Sequence, residues 1–316
     1  MQMGSSLSVK ELKKCFPIGG QSVEILRSMT FDAPPDRITA IIGPNACGKT
    51  TLMRIMAGII APDSGQVLID GDDLYSNIKA LRRKVGFVSP AMDFHKKLTM
   101  GETLSYFEGI QGSSRSSIKV FLEEMGMIRC MNEKIVGFSE GQKMVLRVGC
   151  ALMKEPSVIL LDEVTSPLDT ERTGKMMGFL KNLAETTNIV MIDHNPRVIS
   201  RIADRFVLMR KNGTVMKSGE MSNFFESTTE MYRLHVRPHE SVHPDFWKSF
   251  DANYELAEDG TVSFRLKTRN ETNKLMDEIS KYSGSVHSYE ASVVTLADVY
   301  EEWIRMAERD GEQDGS

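Results

Sequence analysis

A glycine-rich turn has the residue types and spacing needed to bind phosphate. Residues 43–50 read Gly-Pro-Asn-Ala-Cys-Gly-Lys-Thr, which fits the pattern of a glycine, four variable residues and then Gly-Lys-Thr. The apolar run over 38–43 predicts a buried strand before the turn, and residues 50–57 predict a helix after it. The N–H groups of such a turn and of the helix start form a cradle for anions. The pattern therefore predicts a phosphate-binding loop.

Two side chains of this loop have their own tasks. Lys49 places a positive charge at the terminal phosphates, and the Thr50 hydroxyl is a ligand for Mg²⁺. Cys47 has two interpretations, because an anion cradle could lower its thiol pKa, or the side chain could be a small apolar filler. The predicted nucleotide-binding residues of the loop are Gly43, Pro44, Asn45, Ala46, Cys47, Gly48, Lys49, Thr50 and Thr51.

A pair of carboxylates follows a second buried strand. Residues 158–161 are apolar, and Asp162 and Glu163 come directly after them. Ligands of α/β sheets bind at the carboxyl ends of the strands. Asp162 would hold Mg²⁺, directly or through water, and Glu163 would orient and polarise an attacking water. The pair could instead be only a helix cap, but its combination with the phosphate loop favours catalysis.

A third motif narrows the class of protein. Residues 138–143 read Phe-Ser-Glu-Gly-Gln-Lys and precede the helix that leads into the second strand. This segment resembles the signature of ABC transporter ATPase subunits, usually Leu-Ser-Gly-Gly-Gln. The resemblance implies that two subunits sandwich ATP head to tail. Ser139, Gly141 and Gln142 would then contact the γ-phosphate of the ATP held by the opposite subunit's loop, at a helix N-terminus.

The resemblance also implies roles for residues outside these motifs. Ser166 and Asp169 lie in a segment that matches the D-loop, which runs along the dimer interface. His194 matches the switch histidine, which contacts the γ-phosphate and would act with Glu163 in catalysis. Phe16 stands where the family stacks an aromatic ring on adenine, although a phenylalanine near the N-terminus can equally belong to a core.

The sequence departs from the family pattern at several places. Glu140 replaces the first signature glycine, Val164 replaces a proline after the catalytic glutamate, and Pro167 replaces the D-loop glycine. The family also places a glutamine after the strand predicted over 85–88, where it ligates Mg²⁺ and senses the membrane subunit.

That glutamine has no counterpart in this sequence. Residues 89–94 read Ser-Pro-Ala-Met-Asp-Phe. Either Ser89 or Asp93 substitutes for it, or Mg²⁺ relies on Thr50, water and Asp162 alone.

The alternation of strands and helices predicts the scaffold that positions these motifs. It favours an α/β fold of the P-loop NTPase type, with a mostly parallel sheet, N-terminal antiparallel strands and a helical subdomain over about 95–155. Helices are expected over 101–127, with a polar break at 112–117, and over 142–154. Residues 205–217 predict a hairpin.

A change of composition near residue 228 predicts two domains, an ATPase domain over 1–228 and a small C-terminal α+β domain over 229–316. The second would contain a strand over 261–266, a helix over 270–281, a strand over 285–290, a helix over 296–307 and a frayed acidic tail over 308–316. Its closing Leu-Ala-Asp-Val-Tyr resembles the C-terminal extension of ATPase subunits from two-gene exporters, which usually reads Leu-Glu-Asp-Val-Phe.

Three histidines in this region follow a regular spacing. His235, His239 and His243 are four residues apart, which suggests a metal-binding face. Pro238 and Pro244 interrupt any helix through them, so the sequence argues against such a face.

Composition excludes several classes of function. The net charge of −4 gives no general attraction for nucleic acid, the four cysteines are scattered, and no apolar run approaches the 18 residues of a membrane span.

The expected protein is a cytoplasmic ATPase with Mg²⁺ as cofactor. It would form a homodimer and bind the inner face of the cell membrane through a separate permease. An exporter is the leading interpretation, and the alternatives are an importer subunit with a regulatory tail and a soluble ABC protein acting on nucleic acid.

Overall fold

The computed structural model describes residues 5–112, 115–226, 232–239, 244–250, 252–257, 259–282, 286–293 and 296–313. The chain divides into two compact units. One consists of residues 1–221 together with 303–316, and the other of residues 222–302. The second unit therefore begins near the predicted boundary at 228, and it ends inside the final helix of the chain.

The first unit has alternating strands and helices after an N-terminal hairpin. In chain order they are β1 (Leu7–Ile18), β2 (Gln21–Ala33), β3 (Ile38–Ile42), α1 (Lys49–Met56), β4 (Ser64–Ile69), β5 (Asp72–Asp73), α2 (Ile78–Leu81), β6 (Val85–Val88), α3 (Met100–Gln111), α4 (Lys119–Glu124), α5 (Glu140–Leu152), β7 (Val158–Asp162), α6 (Thr170–Leu183), β8 (Asn188–Ile192), α7 (Pro196–Ile202), β9 (Arg205–Met209) and β10 (Val215–Glu220).

Two sheets organise this unit. The larger sheet has the strand order β10-β9-β3-β8-β7-β6 and is parallel except for β10, and the other is antiparallel with the order β2-β1-β4-β5. Every residue of β3, β7 and β8 is buried, as expected for central strands of a parallel sheet that is covered on both faces. The predicted α/β architecture with a mostly parallel sheet is confirmed.

The sheet order explains how distant motifs meet. Strands β3, β8 and β7 are neighbours and run in the same direction. Their carboxyl ends therefore lie at one edge of the sheet, although they are far apart in sequence. The glycine-rich turn follows β3, the carboxylate pair ends β7, and His194 follows β8.

Helices α3 to α5 form the helical part between β6 and β7. A capping box between Thr99 and Glu102 begins α3, and Gly112 with φ of 65° ends it. A short 3-10 turn, Arg115–Ile118, leads into α4. The break expected at 112–117 is therefore present, and its residues 113–114 lie outside the described part of the chain.

The second unit is a small sheet with helices. Its elements are α8 (Met221–Glu226, whose first residue belongs to the first unit), β11 (Tyr232–Pro238), β12 (Asn253–Leu256), β13 (Val262–Leu266), α9 (Arg269–Ser280), β14 (Val286–Val293) and the start of α10 (Leu296–Gln313). The antiparallel order β12-β13-β11-β14 and α9 enclose a core that includes Trp247, Phe264 and Ile279. Strand β11 was not expected from the sequence.

Strand β11 contains the first of the three regularly spaced histidines. His235 lies in β11, and its Nδ1 is 2.8 Å from the Ser263 hydroxyl, so the side chain has a partner in the sheet. His243 lies outside the described residues. Across the described part of the chain, no group of three or more histidine, cysteine, aspartate or glutamate side chains is arranged to hold a metal ion.

The C-terminal end differs from the predicted frayed tail. Helix α10 continues to Gln313, and its residues from Trp303 belong to the first unit. Within that unit the Lys217 ammonium lies 4.6 Å from the Trp303 ring centroid, and the Lys211 N–H donates to the Ala307 carbonyl at 3.0 Å. The predicted domain 229–316 is therefore corrected, because its last helix is partly an element of the first unit. None of the described helices combines the length and apolar character needed to cross a bilayer.

Candidate nucleotide site

Backbone conformations that favour glycine shape the turn after β3. Gly48 has a φ of 99°, and a Cβ there would lie 2.8 Å from a methyl group of Leu26. Ala46 also has a positive φ, of 62°. Gly48 is the N-cap of α1, and no side chain caps the helix there. The backbone at the start of α1 is therefore presented without a competing side-chain oxygen.

Lys49 folds back over this turn. Its ammonium group donates to the Gly43 carbonyl at 2.7 Å and to the Pro44 carbonyl at 2.8 Å. Burial lowers the pKa of Lys49, and the charges of nearby acidic groups oppose this shift. Burial raises the pKa of the Cys47 thiol, which favours its interpretation as an apolar filler over a reactive thiol.

Asp162 has the properties of a cation ligand. It is buried at the end of β7, one of its oxygens (Oδ1) has no hydrogen-bond partner, and the Thr50 hydroxyl bonds to its carboxylate. Burial and the neighbouring charge of Glu163 raise the pKa of Asp162. A buried carboxylate oxygen without a partner, next to a hydroxyl, is the kind of oxygen donor set that Mg²⁺ takes. The residues therefore fit the metal.

Glu163 and His194 form a polar pair next to this carboxylate. Glu163 Oε1 lies 3.0 Å from His194 Nε2, and both side chains are partly exposed. Glu163 has a positive φ of 53°, which is unusual for a residue with a side chain, and its N–H donates to the Ile192 carbonyl at 2.9 Å. The bond to β8 holds Glu163 in this conformation, so its carboxylate emerges from the edge of the sheet.

Nine of the predicted site residues line a cavity of about 420 Å³. Phe16 is part of its wall, and the Lys14 ammonium lies 5.4 Å from the Phe16 ring centroid. The cavity is lined by Phe16, Ile18, Ile25, Asn45, Ala46, Gly48, Lys49, Thr50, Thr51, Glu163 and His194. An aromatic ring, the phosphate loop and the Glu163–His194 pair therefore share one site.

The signature residues lie elsewhere in the first unit. Ser139 is the N-cap of α5 and forms a capping box with Gln142, whose N–H donates to the Ser139 hydroxyl at 3.2 Å. A Cβ at Gly141 would lie 2.8 Å from the Pro167 carbonyl, so this position packs tightly on the segment after β7. In that segment Ser166 is exposed, and Asp169 caps α6 by accepting from the Arg172 N–H at 2.8 Å.

Asp193 is a residue that the motifs did not identify. It is buried, accepts a short hydrogen bond from the Thr165 hydroxyl and accepts from the Asn195 N–H at 2.8 Å. Burial raises the pKa of Asp193. Asp193 thus joins the segment after β7 to the one that carries His194. Asp193 follows the apolar run 189–192, just as Asp162 follows the apolar run 158–161, and this pattern was the available signal.

The loop after β6 does not place its polar residues in the cavity. The Ser89 hydroxyl is buried and accepts from the Ala91 N–H at 3.4 Å. Asp93 is exposed and accepts from the Phe94 N–H at 2.9 Å. Of the residues described, neither candidate substitute for the family's glutamine is among those that line the cavity.

Fold and site together define a P-loop nucleotide hydrolase with a helical part inserted between β6 and β7. Residues 26–166 match the family model described as ABC transporter. The chain contains an ABC transporter ATP-binding domain and is an ATPase of that class.

Named relatives agree with this class. A methionine import ATP-binding protein of Acinetobacter baylyi is 25% identical over 304 residues, which cover 92% of this chain and 84% of the relative. The ABC transporter ATP-binding protein NatA of Bacillus subtilis is 28% identical over 211 residues, or 65% of this chain and 85% of NatA. These names give no support to the exporter interpretation.

Solved structures show the same fold. An ATP-binding subunit of an ABC transporter superposes with a TM-score of 0.63 at 24% identity and covers 70% of this chain and 92% of its own. A dimeric bacterial ABC transporter cassette superposes with a TM-score of 0.61 at 25% identity and covers 68% of this chain and 98% of its own.

Proposed function

We propose that this chain binds and hydrolyses MgATP between two copies of itself and thereby powers a separate membrane permease. One observation carries the proposal. The Glu163–His194 pair, with 3.0 Å between Oε1 and Nε2, lines the same cavity as Lys49 and Thr50. A proton-accepting group next to a phosphate cradle is the arrangement required for attack of water on a terminal phosphate.

The proposed roles follow from the geometry. Lys49 exchanges its bonds to loop carbonyls for bonds to phosphate oxygens, which are stronger because both partners are charged. Thr50 and Asp162 would hold Mg²⁺, which neutralises charge on the phosphates. Glu163 orients the attacking water, and His194 holds the Glu163 carboxylate and contacts the γ-phosphate.

The second half of each site is proposed to come from the partner subunit. Ser139, Gly141 and Gln142 are not part of the cavity wall, although they form the exposed or tightly packed start of a helix. In a head-to-tail dimer this helix start faces the γ-phosphate of the other copy. Ser166 and Asp169 would lie along the interface between the two copies.

The permease is proposed to dock on an apolar face of α3. Tyr106 is 62% exposed and Ile110 is 63% exposed, one turn apart on the helix. Phe107 lies beside them and meets Phe94 of the loop after β6, with 6.2 Å between ring centroids. Such a cluster on a surface marks a contact site for another protein. The permease would hold the chain at the inner face of the cell membrane.

The transport direction is proposed to be import. The methionine import relative matches over 92% of this chain, a span too long for the match to be confined to the ATP-binding domain. This finding favours the importer alternative over the exporter expected from the closing Leu-Ala-Asp-Val-Tyr.

Replacing Glu163 by glutamine tests the catalytic proposal. Turnover of ATP should fall by about 10²- to 10⁴-fold, the usual contribution of a general base. ATP binding should persist, so the variant should accumulate as an ATP-bound dimer on gel filtration. Glu171→Gln is the matched control, because Glu171 is an exposed glutamate on α6 that pairs with Lys175. Wild-type turnover in Glu163→Gln would remove Glu163 from its role.

Direction is tested in proteoliposomes that contain the permease with which the chain copurifies. With the ATPase subunits facing outward and L-methionine trapped inside as the probe, import corresponds to movement toward the ATPase side. External ATP should therefore release the probe. ATP-dependent movement of the probe into the vesicles would restore the exporter interpretation.

A further inference from the structure

A buried arginine connects the loop after β6 to the signature helix. Arg147 of α5 is only 4% exposed, and its Nε donates to the Met92 carbonyl at 2.6 Å. The side chain also reaches toward the start of its own helix, where Nη2 lies 3.7 Å from Glu140 Oε2. One guanidinium group therefore contacts both the loop and the first turn of α5.

The loop end of this connection is a constrained turn. The Met92 N–H donates to the Ser89 carbonyl at 3.1 Å, which closes a four-residue turn with Pro90 at its second position. Proline fixes φ there, so the turn has few alternative conformations. Because Arg147 bonds to the last residue of the turn, the turn and α5 are held together at a defined distance.

The helix end of the connection is charged. Glu140 pairs with Lys143 at 2.7 Å, and this hydrogen bond lowers the pKa of Glu140. Glu140 is therefore ionised at neutral pH and is next to Ser139, the N-cap of α5. Glu140 and the turn at 89–92 are both positions where this sequence departs from the family pattern, and Arg147 contacts both.

We propose that Arg147 is a positioning residue that couples the loop after β6 to Ser139 at the start of α5. This inference rests on the proposed function, in which the signature end of α5 completes the partner's ATP site. A permease docked on Phe94 and α3 would move the adjoining Met92, and Arg147 would transmit that movement to the helix. The chain thus couples the two regions through a buried guanidinium–carbonyl bond instead of a glutamine.

Steady-state ATPase kinetics of the full chain test the coupling. Arg147→Met keeps an unbranched apolar stem but removes the guanidinium group and its donors. We expect kcat to fall about tenfold or more while KM for ATP changes by less than about twofold, because Ser139 acts after ATP has bound. Arg147→Lys keeps the charge and one donor, and should restore kcat to within about threefold of wild type.

Two further variants separate positioning from general stability. Lys175→Met removes an exposed helix ion pair, with Glu171 on α6, and should leave both constants unchanged. Ser139→Ala combined with Arg147→Met should be no slower than Ser139→Ala alone, because Arg147 acts through Ser139. Independent, multiplicative losses in the double variant would overturn the inference.

The outcome also distinguishes this inference from the proposed function. If Glu163→Gln abolishes turnover but Arg147→Met keeps the wild-type kcat, only the coupling is wrong. If Glu163→Gln keeps wild-type turnover, the proposed function itself fails and the coupling fails with it.

Discussion

Two helices of the first unit begin at motifs proposed to contact ATP phosphates, α1 in the chain's own site and α5 in the partner's, but their first turns are stabilised in different ways. Helix α1 begins at Gly48, which has a φ of 99° and no side-chain cap. Helix α5 begins at Ser139, whose hydroxyl and backbone are both satisfied by Gln142 in a capping box. The first start depends on a conformation that glycine adopts readily and has no side-chain cap, whereas the N–H groups at the second are satisfied locally.

This difference indicates how the two helices are used. A helix start without a cap has N–H groups that a phosphate can satisfy, which suits the site where ATP binds first. A capped start is stable without ligand, which suits a surface that contacts ATP only when a second copy arrives. Under the proposed function, the start of α1 would therefore serve ATP binding and the start of α5 would serve dimer closure.

The largest expected effect is a difference in ATP affinity between a variant at the start of α1 and a variant at the start of α5. Lys49→Ala should weaken ATP binding by about 10- to 100-fold, since a hydrogen bond to a charged group contributes about 1.5–3 kcal/mol. Ser139→Ala should change the Kd for ATP by less than about twofold, because Ser139 contacts the nucleotide of the other subunit. Isothermal titration of both variants with MgATP measures this contrast. Equal losses in the two variants would contradict it.

A mixing experiment then tests whether the two starts belong to different subunits. Lys49→Ala and Ser139→Arg proteins should each be inactive, whereas an equal mixture should recover up to about a quarter of wild-type turnover. Random pairing makes half of the dimers mixed, and each mixed dimer has one intact site of two. Tagging the two proteins differently shows that mixed dimers form. Inactivity of a mixture that contains them would break the shared-site model.

Backbone strain should distinguish two glycines of these motifs. Gly48→Ala places a side chain at a left-handed φ and within 2.8 Å of Leu26, and should destabilise the protein by about 1–3 kcal/mol. A Cβ in Gly141→Ala would lie 2.8 Å from the Pro167 carbonyl oxygen and 3.5 Å from a Leu168 methyl group, but Gly141 has no left-handed φ. Its cost comes from steric overlap alone and should be smaller than the combined cost at Gly48. Urea unfolding of both variants without nucleotide gives the comparison, and a larger cost at Gly141 would reverse it.

The smallest expected effect concerns the buried Asp162 carboxylate, whose Oδ1 has no hydrogen-bond partner. The folded-state pKa of Asp162 is raised above its ordinary value of 3.8, so its charge destabilises the folded protein at pH values above the raised pKa. Asp162→Asn should therefore raise Tm at pH 8 without nucleotide by about 2–4 °C if the gain is about 1 kcal/mol. As pH falls through the raised pKa, wild-type Asp162 gains its proton and the difference should disappear.

The control for this prediction is the response to Mg²⁺. Asp162→Asn should lose the stabilisation that MgATP gives to the wild type, because the carboxylate is proposed as a metal ligand. A variant that is less stable at every pH would show that the carboxylate stabilises the fold instead of serving the metal.

Local patterns were sufficient to predict much of the first unit. Strand β7 was expected to end at Asp162 and does, because an apolar run and the change to carboxylates mark both ends of the strand. The phosphate loop was identified for the same reason, since its residues are contiguous and their spacing is fixed by the ligand. The family resemblance implied that His194 acts with Glu163, and the parallel pairing of β7 with β8 explains why both lie at one edge of the sheet.

Features that depend on distant partners were missed. Strand β11 pairs with β13 and β14, which come much later in the chain, and two prolines with three histidines hid its alternation. Asp193 follows no contiguous motif, and its importance comes from the Thr165 hydroxyl that it contacts across the site. The sequence also did not predict that the end of α10 belongs to the first unit, because no local pattern specifies contacts with residues so far away in the chain.

The position of residues 303–316 within the first unit has a consequence for synthesis. A ribosome releases the chain from its N-terminus onward, so the first unit lacks its last segment until residues 303–316 have been synthesised. Residues 222–302 must emerge before the Lys211 N–H can pair with the Ala307 carbonyl. A nascent chain stalled before Trp303 should therefore contain the phosphate loop but leave Lys217 without its aromatic partner. The complete first unit can assemble only after residues 303–316 have left the ribosome.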